Sequence, residues 1–170
     1  STKNVLKPDF SWSCEDISDL KNNFNLKKYI ILFPFSSPRL TIKRWPYYNN
    51  LIEKIKSEYS NEFQILVAPG PDEIKLASEF NATCVLDNGK AINISKLSSL
   101  IKESSFIVSN DTGPAHMAAH LNKKGLVLFG SHTTAEKVSI ETECFKAIQV
   151  SDLSKLSAEN VFEKLKSAIS

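Results

Sequence analysis

Residues 106–119 read FIVSNDTGPAHMAA, and this stretch carries the clearest signal for the fold. The apolar run Phe106–Ser109 is typical of a buried strand, and Pro114 is typical of the first turn of a helix, which we expect to run through Leu121. Between them lies a short polar connection in which Gly113 permits a tight turn. A buried strand that leads directly into a helix predicts one unit of a parallel sheet.

Short apolar runs and helical patterns alternate along the rest of the chain as well. Further strands are predicted at residues 29–33, 64–68, 84–86, 126–129 and 145–150. Further helices are predicted at 46–59, from Asp72 to about Phe80, and from Ser95 and Ser157, each of these three polar residues serving as the cap. Continuous apolar strands are typical of parallel sheets that are covered on both faces. We therefore expect an α/β fold with a doubly wound, Rossmann-like parallel sheet and helices on both faces.

The composition suits a single compact domain. The chain has 170 residues, of which 42% are hydrophobic. Residues 1–28 are polar and irregular, so we expect a lead-in or linker segment with at most one short helix there, and the Rossmann-like domain at 29–170. The net charge is only +2 and the signs are mixed along the chain, which gives no basis for a nucleic-acid partner.

The cysteines and the apolar runs limit the possible classes further. Cys14, Cys84 and Cys144 are widely spaced and form no CxxC pair. This argues against a disulfide framework or a zinc knuckle and favours a reducing compartment, where we expect these residues to pack as small buried apolar groups. The longest apolar runs fall far short of the ~18 residues that cross a bilayer. The chain starts at Ser1, which indicates either processing or a piece of a longer protein.

The loop 109–116 is the first candidate site, because ligands of such sheets bind beyond the carboxyl ends of the strands. The free N–H groups and the dipole of the helix start favour an anion there, and Thr112 adds a hydroxyl. Asp111 is itself negative, so we expect it to bind a sugar hydroxyl or a cation, and we expect His116 to donate to a phosphate or sugar oxygen. The alternative is an ordinary capping turn with Asp111 or Thr112 as the cap.

The loops after the first two strands supply further candidates. Residues 34–46 contain two serine hydroxyls, the flexible cation Lys43, which can act as a point charge on a diphosphate, and Trp45. The alternative is that Trp45 packs beneath the sheet, which we favour, and that Lys43 and Arg44 are solvated. In the loop after the second strand, Asp72 suits a helix start, whereas Glu73 could accept two hydrogen bonds from a ribose diol.

Two catalytic arrangements are disfavoured by the sequence. His116, His120 and His132 could form a metal site, but the glutamate of an HExxH motif is missing and no cysteine or carboxylate set completes it. A nucleophile built from Ser109 with Asp111 and His116 lacks the GxSxG elbow. A basic and aromatic cluster around Trp45 could suggest RNA binding, but three cations in a nearly neutral chain make a weak signal.

Four motifs occur in an order and spacing that resemble a known family. They are KRWP at 43–46, PGPDE at 69–73, NDTGPAHMAA at 110–119 and LFG at 128–130. Together they resemble the C-terminal half of the family 9 glycosyltransferases, the ADP-heptose:lipopolysaccharide heptosyltransferases, over about residues 29–169. The resemblance implies a GT-B enzyme in which two Rossmann-like domains face a cleft. The C-terminal domain binds the nucleotide-sugar donor, and the N-terminal domain carries the acceptor site and the proposed catalytic base.

The resemblance also implies roles for individual residues in donor binding. These are Ser36, Ser37 and Lys43 on the diphosphate, Glu73 on the ribose, Thr112 and Gly113 through their amides on phosphate, and Asp111 and His116 towards phosphate and heptose. It implies no metal or other cofactor, and no catalytic base within this chain. The sequence departs from the family at Phe35, where a glycine is usual, at Ser131 and His132, where Pro-Thr is usual, and at His120. Phe35 is expected to narrow the diphosphate pocket.

The implied reaction of the parent enzyme is an inverting transfer of heptose from ADP-heptose to the lipopolysaccharide inner core. It would take place at the cytoplasmic face of the inner membrane of a Gram-negative bacterium, with peripheral membrane contact only in the full-length protein. The isolated chain is expected to bind ADP or ADP-sugar weakly and not to catalyse transfer. The alternatives are a domain of another GT-B enzyme, such as a UDP-sugar epimerase, and a non-enzymatic α/β binding module.

Overall fold

The computed structural model describes residues 14–36, 43–131 and 140–170, and its centre is a parallel sheet. The strands are β1 (Tyr29–Phe33), β2 (Gln64–Val67), β3 (Thr83–Cys84), β4 (Phe106–Asn110), β5 (Gly125–Phe129) and β6 (Phe145–Gln149). Their order is β3-β2-β1-β4-β5-β6, and every neighbouring pair is parallel. This confirms the predicted doubly wound sheet.

Helices cover both faces of this sheet. They are α1 (Ser18–Phe24), α2 (Tyr48–Tyr59), α3 (Ile74–Ala77), α4 (Ile94–Lys102), α5 (Gly113–His120) and α6 (Ala158–Ile169), with a 3₁₀ turn at Leu153–Lys155. Side chains of α2, α3 and α6 form one apolar cluster with Ile30 and Leu32 of β1, and those of α1, α4 and α5 form a second cluster with Ile31 and Phe33. The strands read as continuous apolar runs because successive side chains enter different cores.

Of the three predicted helix caps, Ser157 is confirmed, whereas Ser95 and Asp72 are not the residues at the cap positions. Ser157 caps α6 as predicted, since its Oγ accepts the Asn160 N–H at 3.1 Å. The predicted cap Ser95 is wrong: the cap lies two residues earlier, at Asn93, whose Oδ1 accepts the Lys96 N–H at 2.8 Å, and α4 begins at Ile94. Both serine and asparagine are good caps, so propensity alone did not separate the two positions.

The helix predicted from Asp72 to about Phe80 is also wrong in its extent. α3 covers only Ile74–Ala77, its N-cap position is Glu73, and no side-chain cap bond forms there. Beyond it the chain turns so that the Phe80 ring packs edge-on against Phe35, with centroids 5.8 Å apart. Long-range packing of this kind overrides a local helical pattern.

The segment before β1 joins the same core. Ile17, Leu20 and Leu26 in and around α1 are buried in the cluster that contains α4 and α5. The three cysteines, in contrast, form no disulfide, and their exposure is intermediate, whereas the sequence predicts fully buried groups. In the part of the chain that the structure describes, no helix combines the length and the apolar character that a membrane span needs.

Strand order places the candidate loops at one edge of the sheet. The chain proceeds from β1 outwards to β2 and β3 on one side, and from β4 outwards to β5 and β6 on the other. The carboxyl ends of β1 and β4 therefore flank the point at which the winding direction reverses. Ligands of open α/β sheets bind in the crevice at this point.

Candidate functional site

Three loops surround a cavity at the carboxyl edge of the sheet. They follow β1, β2 and β4, and the cavity between them measures about 210 Å³. Its walls include Phe35 from the first loop, Gly70 and Glu73 from the second, and Thr112 and Pro114 from the third. Most of its lining is apolar, with one carboxylate and one hydroxyl, which is the usual character of a small-molecule site.

A larger groove lies elsewhere. It measures about 900 Å³ and runs past the amino ends of β2 and β3 beside α2, where Glu53, Lys56 and Asn61 border it. It holds neither the strand-to-helix loops nor a buried charge. Chemistry and topology therefore favour the smaller cavity at the carboxyl edge, although it has less volume.

The strongest electrostatic feature at this edge is an ion pair between Lys43 and Asp111. Lys43 Nζ lies 3.2 Å from Asp111 Oδ2, and the two side chains are 19% and 3% exposed. Burial makes an isolated carboxylate costly, so the lysine ammonium stabilises Asp111 in its charged form. Of the two partners that the sequence predicts for Asp111, a sugar hydroxyl or a cation, this structure supplies the cation.

His116 stands on the first turns of α5 beside the same carboxylate. Its Nε2 lies 3.9 Å from Asp111 Oδ1, which is beyond hydrogen-bond distance, and its side chain is 43% exposed. The imidazole is therefore open to solvent at the mouth of the site. A ligand oxygen can reach both the imidazole and the Lys43–Asp111 pair from that side.

The start of α5 offers backbone donors next to this pair. Thr112 occupies the N-cap position without a side-chain cap bond, and its carbonyl accepts the N–H groups of Ala115 and His116. The N–H groups of Thr112 and Gly113 precede these intrahelical bonds, as in helix termini that bind anions. The alternative of an ordinary side-chain cap is thus not what forms at Thr112.

Gly113 is not required by the backbone. Its φ lies outside the positive region, and a Cβ added there would meet no heavy atom within 4 Å. The conformational freedom that glycine offers for a tight turn is therefore not used at this position. The open space in front of Gly113 is instead room that a ligand could use.

Glu73 faces the cavity from the loop after β2. Its Oε1 accepts the Gly70 N–H at 2.9 Å, which closes the PGPDE turn on itself. The side chain is half-buried and contributes to the cavity wall. One backbone bond holds its orientation, and the remaining lone pairs of the carboxylate can accept ligand hydroxyls.

Ser36 and Arg44 connect the two ends of the loop after β1. Arg44 Nε donates to Ser36 Oγ at 2.9 Å, and its Nη2 donates to the Ser36 carbonyl at 3.2 Å. Ser36 is buried. Arg44 therefore holds this loop rather than lying free in solvent, the alternative weighed for it from the sequence. Ser37 falls outside the described residues.

The two aromatic residues of this loop pack into the core. Trp45 is 2% exposed and its Nε1–H donates to the Leu156 carbonyl at 2.7 Å, which confirms the packing interpretation. The Phe35 ring is 5% exposed and packs against Phe80. Phe35 lines the cavity that includes Glu73 and Thr112, whereas Lys43 and Asp111 are not among its walls. The Phe35 ring therefore takes up space in the cavity beside Glu73 and not at the Lys43–Asp111 ion pair.

Asn110 is the residue that sequence reasoning missed. It is fully buried at the end of β4, and its side chain bonds Phe35, Trp45 and Tyr48. Asn110 is the first residue of the motif at 110–119, but no role was assigned to it from the sequence. The signal that could have identified it is a polar amide at the carboxyl end of an otherwise apolar strand. Burial also raises the pKa of Tyr48 well above its usual range, so that its hydroxyl remains a neutral donor to Asn110.

The described residues hold no group of three side chains that could ligate a metal ion. His116 and His120 both lie on α5 with intermediate exposure, and His132 falls outside the described ranges. What the described groups bring together is a cation, backbone donors, a buried carboxylate and a hydroxyl-accepting glutamate. This combination suits a ligand with negative phosphates at its centre and hydroxyl groups at either side.

The chain matches known proteins in sequence and in structure. Its sequence fits glycosyltransferase family 9 (heptosyltransferase) over residues 2–166. Its structure is similar to E. coli heptosyltransferase WaaC with ADP-2-deoxy-2-fluoro heptose, at 19% identity and a TM-score of 0.68 over 94% of this chain and 48% of that one. It is also similar to E. coli ADP-heptose lps heptosyltransferase II, at 20% identity and a TM-score of 0.70 over 89% and 50% of the two chains.

Epimerases share the fold as well. The UDP-GlcNAc 2-epimerase of Methanocaldococcus jannaschii, in complex with UDP-GlcNAc and UDP, is similar at 14% identity and a TM-score of 0.63, over 95% of this chain and 44% of that one. No curated protein sequence matches significantly. The chain spans about half the length of the heptosyltransferase structures, and identities this low show a common fold alone. The match to the sequence family extends over nearly the entire chain, and the protein belongs to glycosyltransferase family 9.

Proposed function

We propose that this chain is the donor-binding half of an inverting heptosyltransferase and that it takes ADP-heptose or a closely similar nucleotide sugar. The observation that carries the proposal is the Lys43–Asp111 pair beside the start of α5, at the reversal point of the sheet. A cation, backbone donors and a carboxylate meet there. Family membership and the similarity to heptosyltransferases with ADP-containing ligands support the same assignment.

The diphosphate would lie between Lys43 and the first N–H groups of α5. Lys43 supplies a mobile ammonium, and Thr112 and Gly113 supply backbone donors together with the positive end of the helix dipole. The space in front of Gly113 permits close approach of phosphate oxygens. Ser36 and Ser37 remain proposed contacts of the diphosphate.

The two sugars would be held by carboxylates on opposite sides of the phosphates. Glu73, fixed by the Gly70 N–H, would accept the two ribose hydroxyls, and the apolar cavity next to it would take part of the nucleoside. When the diphosphate draws Lys43 towards itself, Asp111 becomes available to the hydroxyls of the transferred sugar. His116 would donate to a phosphate or sugar oxygen at the mouth of the site.

In the proposed reaction this chain would stabilise the leaving group. As the bond from the sugar to the diphosphate breaks, negative charge grows on ADP. Lys43 and the start of α5 are already positioned to stabilise that charge, which is the form of electrostatic catalysis that needs no metal ion. The acceptor hydroxyl of the lipopolysaccharide core and the catalytic base would come from an acceptor-binding domain, with the full-length enzyme at the cytoplasmic face of the inner membrane.

The epimerase alternative differs in the nucleobase. The similar epimerase structure is a complex with UDP-GlcNAc and UDP, whereas two similar structures of E. coli heptosyltransferase WaaC hold ADP-2-deoxy-2-fluoro heptose and ADP. Base preference therefore separates the two functions. A non-enzymatic α/β module would bind neither ADP nor UDP at millimolar concentration.

Calorimetric titration of the chain with ADP and, in parallel, with UDP tests the proposal. We expect ADP to bind with a lower dissociation constant than UDP by tenfold or more. Preference for UDP would move the assignment to an epimerase-like enzyme. Absence of binding to both nucleotides at millimolar concentration would refute the donor-site proposal.

A further inference from the structure

One buried side chain connects the loops of the proposed donor site. Asn110 is 0% exposed and ends β4. Its Oδ1 accepts the Trp45 N–H at 3.3 Å and the Tyr48 hydroxyl at 2.9 Å, and its Nδ2 donates to the Phe35 carbonyl at 3.3 Å. Two donors face the oxygen and one acceptor faces the nitrogen, so the orientation of the amide is fixed by its partners.

These partners stand at both ends of the loop after β1. Phe35 immediately precedes Ser36, and Trp45 follows Lys43 by two residues. Asp111 follows Asn110 directly in the chain. One amide group thus fastens the entry and the exit of the loop that carries Lys43 to the strand end that carries Asp111.

We propose that Asn110 is a positioning residue of the donor site, which holds Lys43 in register with Asp111 and with the start of α5. The inference rests on the proposed function for its ligand but concerns a residue that does not touch that ligand. Asn110 acts through the backbone of Phe35 and Trp45. Tyr48 completes the hydrogen bonding of the buried amide through its hydroxyl, and its ring packs edge-on against Trp45 with the ring centroids 5.0 Å apart, a contact that Tyr48→Phe keeps.

The pairing of the strands does not require an amide side chain at position 110. The backbone of Asn110 pairs in register with Leu128 of β5, and an apolar side chain satisfies the same strand geometry. A buried amide costs free energy unless its hydrogen bonds are made, and here every bond named above links separate parts of the chain. The geometry of a charged pair at 3.2 Å is sensitive to displacements of about 1 Å, so a loosened loop reduces binding.

The main test compares Asn110→Ala with two tyrosine variants in ADP titrations, each paired with urea unfolding. We expect Asn110→Ala to weaken ADP binding at least tenfold. Tyr48→Phe retains the bonds of Asn110 to Phe35 and Trp45 and is expected to change binding less than twofold. Tyr29→Phe is the matched control, because its buried hydroxyl donates to the Leu100 carbonyl at 2.6 Å from the first residue of β1, at the opposite edge of the sheet.

A second variant covers the case in which Asn110→Ala does not fold. Asn110→Leu combined with Tyr48→Phe keeps the site filled and removes the Tyr48 hydroxyl, which would otherwise be buried without its acceptor, so that only the Trp45 N–H and the Phe35 carbonyl lose the amide. The folded double variant is also expected to bind ADP at least tenfold more weakly. Wild-type affinity in either folded Asn110 variant would overturn the proposal, as would an equal loss of affinity in Tyr29→Phe.

A measurement without ligand separates this inference from the proposed function. In folded Asn110→Ala we expect the NMR signals of the Lys43 side chain and the Ser36 amide to shift, and in Tyr29→Phe we expect them to stay. Unchanged signals in the Asn110 variant would refute the positioning role even if the wild type binds ADP. Failure of the wild type to bind ADP, together with shifted signals in Asn110→Ala, would refute only the proposed function.

Discussion

At the scale of single residues, the site depends on charges that are far apart in sequence and close in space. Lys43 and Asp111 are separated in sequence by three helices and three strands, α2 to β4, yet their charged atoms lie 3.2 Å apart because β1 and β4 are neighbours in the sheet. The sequence could nominate both residues, since each lies in a strand-to-helix loop. It could not predict their pairing, because that distance is set by strand order.

Replacing Lys43 by alanine should weaken both binding and folding. We expect ADP affinity to fall at least tenfold, because the diphosphate loses its cation, and the free energy of unfolding to fall by about 1–3 kcal/mol, because the buried Asp111 carboxylate loses its ion pair with the Lys43 ammonium. Calorimetry and urea unfolding measure the two effects. Lys54→Ala is the control, since the Lys54–Glu159 pair at 2.7 Å is exposed, contributes little to stability because water screens it, and lies away from the site. Equal ADP affinity in both variants would contradict the role given to Lys43.

Gly113→Ala should weaken ADP binding without lowering the stability of the fold. The added methyl group enters open space at a position with ordinary φ, so we expect the free energy of unfolding to stay the same or to rise by up to about 1 kcal/mol. The same methyl group occupies the space where phosphate oxygens would approach the helix start, so ADP affinity should fall about tenfold. Unchanged ADP affinity in this stable variant would argue against a diphosphate at the start of α5.

At the scale of the elements, local sequence predicted the strands better than the helix boundaries. The central strands β1, β2, β4 and β5 are short, mainly apolar runs that are buried on both faces, as the sequence predicts. The edge strands β3 and β6 are partly exposed, and β3 covers Thr83–Cys84 instead of the predicted 84–86. The extent of α3 and the cap of α4 were wrong because tertiary contacts decide them. Phe80 turns towards Phe35, and Glu73 bonds Gly70 instead of continuing a helical pattern. The role of Asn110 was missed for the same reason, since its hydrogen-bond partners are distant in sequence.

One glycine is needed where two strands meet. A Cβ added to Gly125 would lie 2.5 Å from the Ile107 carbonyl oxygen and 2.7 Å from the Phe145 ring. The β4 backbone and the Phe145 ring therefore leave no room for a side chain at the start of β5, where only glycine fits. We expect Gly125→Ala to lower the free energy of unfolding by about 1–3 kcal/mol through overpacking. Urea unfolding beside Gly113→Ala, in which the same methyl group meets nothing, provides the comparison, and equal stability of the two variants would contradict this packing argument.

At the scale of the whole molecule, the chain has the fold of one half of a GT-B enzyme. It spans about half the length of the heptosyltransferase structures that it resembles. The proposed acceptor site and catalytic base belong to the other half. We therefore expect the 170-residue chain to bind ADP-heptose without transferring the sugar, in an assay with lipopolysaccharide core acceptor. Turnover by this chain alone would contradict the assignment of the base to a separate domain.

The most direct measurement is a residue-resolved NMR titration of the wild-type chain with ADP. The account predicts that amide shifts concentrate at Ser36, Lys43, Glu73 and residues 111–116, all at the carboxyl edge of the sheet. It also predicts that the groove of about 900 Å³ at the amino ends of β2 and β3 stays unaffected. Shifts confined to that groove, or no shifts at all with millimolar ADP, would contradict the central claim that these loops form a nucleotide-sugar site.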